Sequence, residues 1–223
     1  MSDNIQQDFL DYCKLVDANK VKELLKDPRV DPSDRNNFAI RFSSENGHIN
    51  VVLELLKDPR VDPSDRNNYA IRWSSYNGHL DVVRELLKDP RVDPSADNND
   101  AIRLSSKYGH IGVVKELLKD PRVDPSDKDN QSIIWSSENG HINVVRELLK
   151  DPRVDPSDRD NCAIIWSSYF GYIDVVKELL KDSRIDKHML LNSDITDELK
   201  DGIIKHMSEN RDEYINKVLN ELE

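Results

Sequence analysis

The chain has 223 residues, of which 34% are charged and 37% hydrophobic, and its formal net charge at pH 7 is −11. This length allows a sizeable buried core, so a small disulfide-stabilised scaffold is excluded. The negative charge repels phosphate backbones and anionic lipid surfaces, so we expect neither nucleic acid nor a membrane as a partner.

The amino terminus lacks the basic and apolar regions of a secretory signal, and no apolar run is long enough to span a membrane. Cys13 and Cys162 lie far apart and outside any metal-binding spacing, so a disulfide framework is not expected. We therefore expect a soluble intracellular protein with reduced thiols and no metal or other cofactor.

One ten-residue segment, Leu-Leu-Lys-Asp-Pro-Arg-Val-Asp-Pro-Ser, recurs along the chain at a spacing of 31 residues. All 10 prolines of the sequence fall in its copies. Because proline and glycine interrupt helices, their regular spacing predicts a tandem array of short helical units. Five glycines recur in the same register: Gly47, Gly78, Gly109, Gly140 and Gly171.

The predicted units follow one another in chain order. Residues 1–33 form an amino-terminal capping unit, whose first helix we expect to contain Phe9, Tyr12, Cys13 and Val16. Residues 188–223 form a carboxy-terminal helical cap, with helices predicted at about 194–207 and 211–222. The five full units between them are residues 34–64, 65–95, 96–126, 127–157 and 158–187.

Each full unit contains two helical patterns, as residues 65–95 illustrate. The first runs over about 68–77, with small and apolar residues on one narrow face. Gly78 ends it, and the second runs over about 80–88 with leucines and valines on one side, until Pro90 stops it. Helices this short are marginal alone, so each pair must pack on the next. The sequence predicts an all-α solenoid of stacked helix-turn-helix units.

The pair of helices joined by Asn-Gly-His, with Val-Val-x-Glu-Leu-Leu in the second, resembles the ankyrin repeat. The resemblance implies a non-catalytic scaffold that binds a protein partner through its concave groove and turn tips. Tyr-Ala-Ile-Arg stands where the family has Thr-Pro-Leu-His. The two prolines of each connection predict turns there, with little or no strand.

The short Asp-Pro-Arg-Val-Asp-Pro-Ser turn is similar to that of ankyrin repeats from large DNA viruses of amoebae. This similarity implies a viral protein in the host-cell cytoplasm, with the nucleus as a second compartment. We expect a monomer. For a viral protein, the partner would be a host protein. The sequence does not identify it.

Two patterns resemble chemical sites. The recurring histidines invite a metal interpretation, but equivalent side chains of stacked helices lie roughly 8–10 Å apart, too far to share one zinc ion. We expect them instead to bond to the backbone of the neighbouring unit. Serine, histidine and aspartate occur together in every unit, yet a catalytic triad needs one nucleophile in one cleft. A hydrolase in the groove stays an alternative, and we expect no enzyme. The histidines are His48, His79, His110 and His141.

Positions that vary between units, while the rest of the unit stays fixed, are the candidate partner-binding residues. In the ankyrin family these positions face the groove, and here several are aromatic, as in interface hot spots. Ordinary surface variation is the alternative. The candidates are Phe38, Arg41, Tyr69, Arg72, Trp73, Tyr76, Arg103, Lys107, Tyr108, Ile134, Tyr169 and Phe170.

Two sets of equivalent positions, with one residue from each full unit, suggest how that surface is organised. We call such a set a column. The column Phe42, Trp73, Leu104, Trp135 and Trp166 predicts stacked rings that bridge adjacent first helices, with direct ligand contact as the alternative. The adjoining column is basic early in the array and apolar later, which predicts a partner with an acidic and an apolar part. That column reads Arg41, Arg72, Arg103, Ile134 and Ile165.

A second functional hypothesis concerns residues 188–223. Some viral ankyrin proteins end in an F-box-like segment that recruits a ubiquitin ligase, so an adaptor is the alternative to simple capping. The segment has no Leu-Pro opening of that kind.

Overall fold

The structure, a computed structural model, describes residues 5–185, and within this range the chain forms helices and turns without a strand. A longer first helix alternates with a seven-residue second helix. The helices are α1 (Ile5–Lys14), α2 (Ala18–Leu24), α3 (Asp34–Glu45), α4 (Ile49–Leu55), α5 (Asp65–Tyr76), α6 (Leu80–Leu86), α7 (Ala96–Lys107), α8 (Ile111–Leu117), α9 (Asp127–Glu138), α10 (Ile142–Leu148), α11 (Asp158–Tyr169) and α12 (Ile173–Leu179).

The expected all-α array of stacked helix pairs is confirmed over this range, and the proline-rich connections are turns as predicted. The helices predicted at 194–207 and 211–222, with the cap or adaptor role of residues 188–223, lie outside the described residues.

Like helices pack against like helices along the array. Each first helix from α3 to α11 lies against the first helices of the neighbouring units, and each second helix contacts its own counterparts. The core repeats with the units, because the same positions are buried each time. In residues 65–95 those positions are Ala70, Ile71, Val82, Val83, Leu86 and Val92.

Paired serines let the first helices approach closely. Ser74 and Ser75 are fully buried, and the Ser74 hydroxyl donates to the carbonyl oxygen of Ile71 at 3.1 Å. The Ser75 hydroxyl has no hydrogen-bond partner. Burying a hydroxyl without a hydrogen-bond partner costs about 1–3 kcal/mol of folding free energy. The small size of the second serine in each pair therefore allows close packing, but its buried hydroxyl destabilises the fold.

A short left-handed turn precedes the right-handed first helix of each of the five full units. Arg66, Asn67 and Asn68 all have φ values between +55° and +57°, so the regular helix begins at Tyr69 and not at about residue 68. Asparagine is enriched in this conformation because its short side chain can hydrogen-bond locally. The same turn occurs at residues 35–37, 97–99, 128–130 and 159–161.

In four of the Asp-Pro-Arg turns, the arginine connects its unit to the one before it. Arg91 Nε and Nη2 donate to the carboxylate of Asp89 at 2.9 and 2.6 Å, and Nη1 donates to the carbonyl oxygen of Val61 at 2.7 Å. The planar guanidinium can bind a carboxylate with two nitrogens and still reach a third acceptor. Arg60, Arg122 and Arg153 make the same contact to the preceding unit.

The amino-terminal unit departs from the prediction at one residue. Phe9 and Cys13 are buried in α1 as expected, and Tyr12 packs against the core. Val16 is 45% exposed and lies after the helix, with a φ of +62°, at the position that Gly47 occupies in the next unit. A β-branched residue is strained in this conformation. The prediction that Val16 fills the first helix was therefore wrong.

Candidate functional site

Two of the three arginines of the variable column, Arg72 and Arg103, are neutralised by carboxylates of the protein. Arg72 Nη2 lies 2.6 Å from an Asp97 oxygen and 2.8 Å from an Asp100 oxygen. Arg103 also pairs with Asp100, at 2.9 Å, and donates to the side-chain amide oxygen of Gln131. The side chains of Arg72 and Arg103 are only 16% and 12% exposed. The predicted basic line is therefore not a free cationic surface.

Arg41 and Arg103 also hold the left-handed turns in place. Arg41 Nε donates to the carbonyl oxygen of Asn36 at 2.8 Å, and its Nη2 donates to that of Arg35 at 3.1 Å. Arg103 Nε makes the equivalent bond to Asn98 at 2.8 Å. Isoleucine at residues 134 and 165 cannot make such bonds. Ile134 is 8% exposed and belongs to the core, so its predicted role as a groove contact is not supported by its position.

Four aromatic side chains form a continuous cluster on helix α5 and at the residue that follows α7. We call these residues, Tyr69, Trp73, Tyr76 and Tyr108, the central aromatic surface. Tyr69 stacks on Trp73 at a centroid distance of 5.4 Å, and Trp73 contacts Tyr76 at 5.1 Å. Tyr76 meets Tyr108 of the next unit edge to face at 4.6 Å. Such pairs contribute about 0.5–1.5 kcal/mol each beyond area burial, so the cluster is held rigidly.

Polar contacts attach this surface to the preceding unit. The Tyr69 hydroxyl donates to a carboxylate oxygen of Glu45 at 2.9 Å, while the Arg41 guanidinium lies 5.1 Å from the Tyr69 ring centroid. Burial, with the Glu45 hydrogen bond, raises the pKa of Tyr69. The hydroxyl and one ring face of Tyr69 are thus already in contact with the preceding unit, whereas Tyr108 is 43% exposed. Phe38 stacks on Phe42 at 5.5 Å and packs against the core.

Lys107, like Arg41, is a basic candidate residue that makes no ion pair within residues 5–185, and unlike Arg41 it makes no hydrogen bond to the turn backbone. Its Nζ lies 4.9 Å from the Trp135 ring centroid and 5.7 Å from that of Tyr108. Both distances are within the range of cation–π attraction. Lys107 therefore borders the central aromatic surface and carries a charge that no carboxylate of the described range neutralises.

A second aromatic group lies on the last described unit, and we call Trp166, Tyr169, Phe170, Tyr172 and Ile173 the terminal aromatic face. Each of the five side chains is between 38% and 66% exposed. Trp166 contacts Tyr169 at 5.9 Å and Phe170 at 6.1 Å between ring centroids. The candidates Tyr169 and Phe170 thus lie apart from the central aromatic surface, at the other end of the variable column.

The predicted ladder of stacked rings is replaced by a different arrangement. Trp73 and Trp166 pair with rings of their own unit, and Trp135 is contacted by Arg103 and Lys107 from the preceding unit. Within residues 5–185, Tyr76–Tyr108 is the ring pair that joins two full units. Leu104 interrupts the column between Trp73 and Trp135, so their rings cannot stack in series.

Three of the four recurring histidines bond to the backbone of the preceding unit, as predicted, whereas Nδ1 of His48 is buried without a hydrogen-bond partner. Nε2 of His79, His110 and His141 lies 2.9–3.0 Å from carbonyl oxygens of Glu45, Tyr76 and Lys107 respectively. A carbonyl can only accept, so Nε2 donates. Burial lowers the pKa of His79. Among residues 5–185, no group of three or more potential ligands is placed to hold a metal ion.

The serines and histidines of one unit have separate partners. The Ser105 hydroxyl donates to the carbonyl oxygen of Ile102, whereas His110 bonds to the preceding unit. A nucleophile and its base must hydrogen-bond to each other, so this arrangement gives no support to a hydrolase. Both cysteines are free thiols, and burial raises the pKa of Cys13 to about 12.

Two contacts that join the units were missed by sequence reasoning. Asn37 Oδ1 accepts from the backbone N–H of Asp62 at 2.7 Å, and its Nδ2 donates to Asp65 at 2.8 Å. The arginine of four Asp-Pro-Arg turns donates to a backbone carbonyl of the preceding unit. The signal was present, because these asparagines and arginines recur at the 31-residue spacing as strictly as the glycines.

The geometry defines a class, the helical-repeat solenoid. In the four units from residue 34 to residue 157, the first helix is followed by a glycine that the next unit covers. Residues 101–189 match the family model of ankyrin repeats (3 copies). The units before residue 101 have the same helices in the same register. Residues 101–189 are therefore similar to ankyrin repeats. A comparison with curated proteins found no match. No helix within residues 5–185 has the length and apolar character needed to cross a membrane.

Proposed function

We propose that this protein is a non-catalytic scaffold that binds one protein partner through the central aromatic surface. Ankyrin repeats are in general protein–protein interaction modules. The observation that carries the proposal is the Tyr76–Tyr108 pair, which continues the aromatic cluster across two units and leaves Tyr108 43% exposed. Tyrosine and tryptophan dominate interface hot spots, and rings already held by their neighbours lose little entropy on binding.

The charges around this surface define the partner more narrowly. Because Arg72 and Arg103 are paired with carboxylates, an acidic segment gains little by approaching them. The partner should therefore insert apolar or aromatic side chains between Trp73 and Tyr108. One carboxylate can be placed against Lys107, which has no ion pair within the described range. The net charge of −11 disfavours a strongly acidic partner.

In this proposal the protein acts in the cytoplasm. It acts there as a monomer. Free thiols at Cys13 and Cys162 are compatible with a reducing compartment. Scaffold binding needs no cofactor, and no described residue offers a metal site.

Affinity capture followed by binding measurements tests the proposal. Tyr76→Ala combined with Tyr108→Ala should lose a protein that the wild type retains, and should weaken the purified complex by at least tenfold. Tyr76→Phe combined with Tyr108→Phe keeps the rings and should retain the partner. The matched control is Asn50→Ala with Asn143→Ala, two exposed positions on second helices. If the alanine variant and this control captured the partner equally well, the central aromatic surface would not be part of the partner interface.

A further inference from the structure

The last residues of the first helices form a column that crosses the array, and we call it the helix-end column. Its members end α3, α5, α7, α9 and α11, and they are Glu45, Tyr76, Lys107, Glu138 and Tyr169. Packed helices lie roughly 8–10 Å apart, so neighbouring members of this column are separated by about that distance. The column passes through the central aromatic surface, because Tyr76 belongs to both.

The spacing of the helix-end column favours one regular conformation in a peptide that lies along it. Side chains on one face of a β-strand recur about every 7 Å, and successive turns of an α-helix are about 5.4 Å apart. A polyproline II helix has three residues per turn and rises about 3.1 Å per residue, so every third side chain returns to the same face after about 9 Å. Of the three conformations, the polyproline II helix is the one that places a side chain against each unit in turn.

Two indole groups supply hydrogen-bond donors beside this column. Trp73 contacts the ring of Tyr76, and Trp135 contacts the Lys107 ammonium. Neither indole N–H has a hydrogen-bond acceptor within residues 5–185, and both side chains are half-buried. A polyproline II segment has no internal hydrogen bonds, so its carbonyl oxygens are free to accept from such donors. Grooves lined by aromatic rings bind these segments because proline rings pack on the ring faces and the preformed backbone loses little entropy.

The free charges of the helix-end column are of opposite sign. The Glu45 carboxylate is already engaged, because it accepts from the Tyr69 hydroxyl at 2.9 Å. Lys107 and Glu138 are adjacent members of the column, and neither makes an ion pair within the described range. A peptide that follows the column is therefore complementary when an acidic residue lies opposite Lys107 and a basic residue lies opposite Glu138. In a polyproline II helix these two residues are three positions apart.

We propose that the partner segment bound at the central aromatic surface is a proline-containing polyproline II helix that crosses α5, α7 and α9. Every third residue of the segment lies in turn against the Tyr76–Tyr108 pair, Lys107 and Glu138, and these residues are apolar, acidic and basic respectively. The two indole N–H groups donate to backbone carbonyl oxygens of the segment. This assignment rests on the proposed function, to which it adds the conformation and the charge order of the partner segment.

Selection from a displayed library of random linear peptides tests the assignment. The immobilised full-length protein should enrich peptides that the variant Tyr76→Ala with Tyr108→Ala does not retain. These peptides should contain proline, with an acidic and a basic residue three positions apart and an apolar residue three positions to the other side of the acid. Enrichment of apolar residues at every second position, or at the spacing of an α-helix, would overturn the proposal in favour of a strand or a helix.

A synthetic copy of one selected peptide then locates the charge contact. Lys107→Glu should weaken its binding by roughly tenfold, and changing the acidic residue of the peptide to lysine should recover most of that loss. Lys177→Glu is the matched control, because it changes the net charge equally at an exposed position of α12 and should have little effect. Equal weakening by the two variants would assign the effect to long-range charge and overturn the contact with Lys107.

The same peptide tests the indole donor and the backbone conformation. Trp73→Phe keeps a ring and removes the N–H, so it should weaken binding by roughly three- to tenfold. Phe42 occupies this column in the first full unit, so phenylalanine is acceptable there, and Trp166→Phe in the last full unit is the matched control. Changing the proline of the peptide to alanine should also weaken binding severalfold, because the free peptide loses its preformed backbone. Unchanged affinity after either change would overturn the polyproline II assignment.

Failure of this proposal can be distinguished from failure of the proposed function. If no peptide of the library separates the wild type from the alanine variant, a linear segment is not the occupant, and the present proposal is overturned. The proposed function would still be supported if the wild type captured a folded protein that the alanine variant lost.

Discussion

The imidazole of His110 lies against Gly78 of the preceding unit, so closely that a Cβ on residue 78 would stand 2.5 Å from its Nδ1. Gly78 has a φ of +77°, and the same ring donates from Nε2 to the carbonyl oxygen of Tyr76 at 2.9 Å. One side chain thereby fixes both the end of one helix and the approach of the next unit.

Gly78→Ala should lower the free energy of unfolding by roughly 2–5 kcal/mol. About 1–2 kcal/mol comes from the left-handed backbone and about 1–3 kcal/mol from the clash with His110. Adding His110→Ala removes the ring, so the alanine at residue 78 should then cost only the backbone part. Denaturant unfolding of the two single variants and the double variant measures this coupling. Additive effects would contradict the contact.

Ser106→Ala should raise the free energy of unfolding by about 1 kcal/mol, because the Ser106 hydroxyl is buried without a hydrogen-bond partner. The neighbouring Ser105 is the control. Its hydroxyl donates to the carbonyl oxygen of Ile102 at 3.2 Å, so Ser105→Ala should be neutral or destabilising. Denaturant unfolding measures the free energy of unfolding of both variants. Equal changes in the two would contradict the difference in hydrogen bonding between the two hydroxyls.

Arg91→Lys should destabilise the array by about 1–2 kcal/mol, because lysine cannot bind Asp89 and the Val61 carbonyl together. Arg29→Lys is the matched control, since Arg29 pairs with Asp27 in the same way but donates to no carbonyl of another unit. Thermal unfolding should show the larger loss for Arg91→Lys. A loss of the same size in both would assign the effect to the local turn.

Acid should destabilise the array through the turn carboxylates. Hydrogen bonds from the Arg122 side chain hold the pKa of Asp120 below its usual 3.8. The folded protein therefore stays ionised where the unfolded chain takes up a proton, so this contribution is complete above about pH 4 and declines as pH falls further. Asp120→Asn should flatten the fall of unfolding free energy over that window. An unchanged slope would contradict the assignment.

Val16→Gly should stabilise the amino-terminal unit by about 1 kcal/mol, because glycine adopts a φ of +62° without strain. Val16→Ala keeps the conformational penalty of a Cβ and should gain less. Hydrogen exchange of α1 amides reports the effect locally. Faster exchange in Val16→Gly would show that the valine stabilises the turn.

Much of the fold follows from the sequence because proline, glycine and the apolar positions recur together. That spacing predicts the helix pairs, the stacking and the histidine contacts. The left-handed turns were missed because three consecutive residues with positive φ are uncommon outside glycine, and only Asn67 and Asn68 indicate them in that unit.

The site was predicted less well, since its state depends on contacts between units. The sequence of its own unit presents Arg72 as a free cation. Only the stacking of the units shows that Asp100 of the next unit neutralises it. Ile134 illustrates the same limit, because a column that is partly buried in four units is buried in the fourth full unit. Tyr108 was predicted as a candidate and is exposed, but its pairing with Tyr76 required the structure.

The most direct test of the proposed function places a photo-crosslinking phenylalanine analogue at Tyr108 in one variant and at Asn143 in another. The partner recovered by affinity capture should crosslink efficiently from residue 108, at the centre of the aromatic surface, and not from residue 143 on a second helix. Efficient crosslinking from residue 143 with none from residue 108 would contradict the assignment of partner binding to the first-helix side of the array.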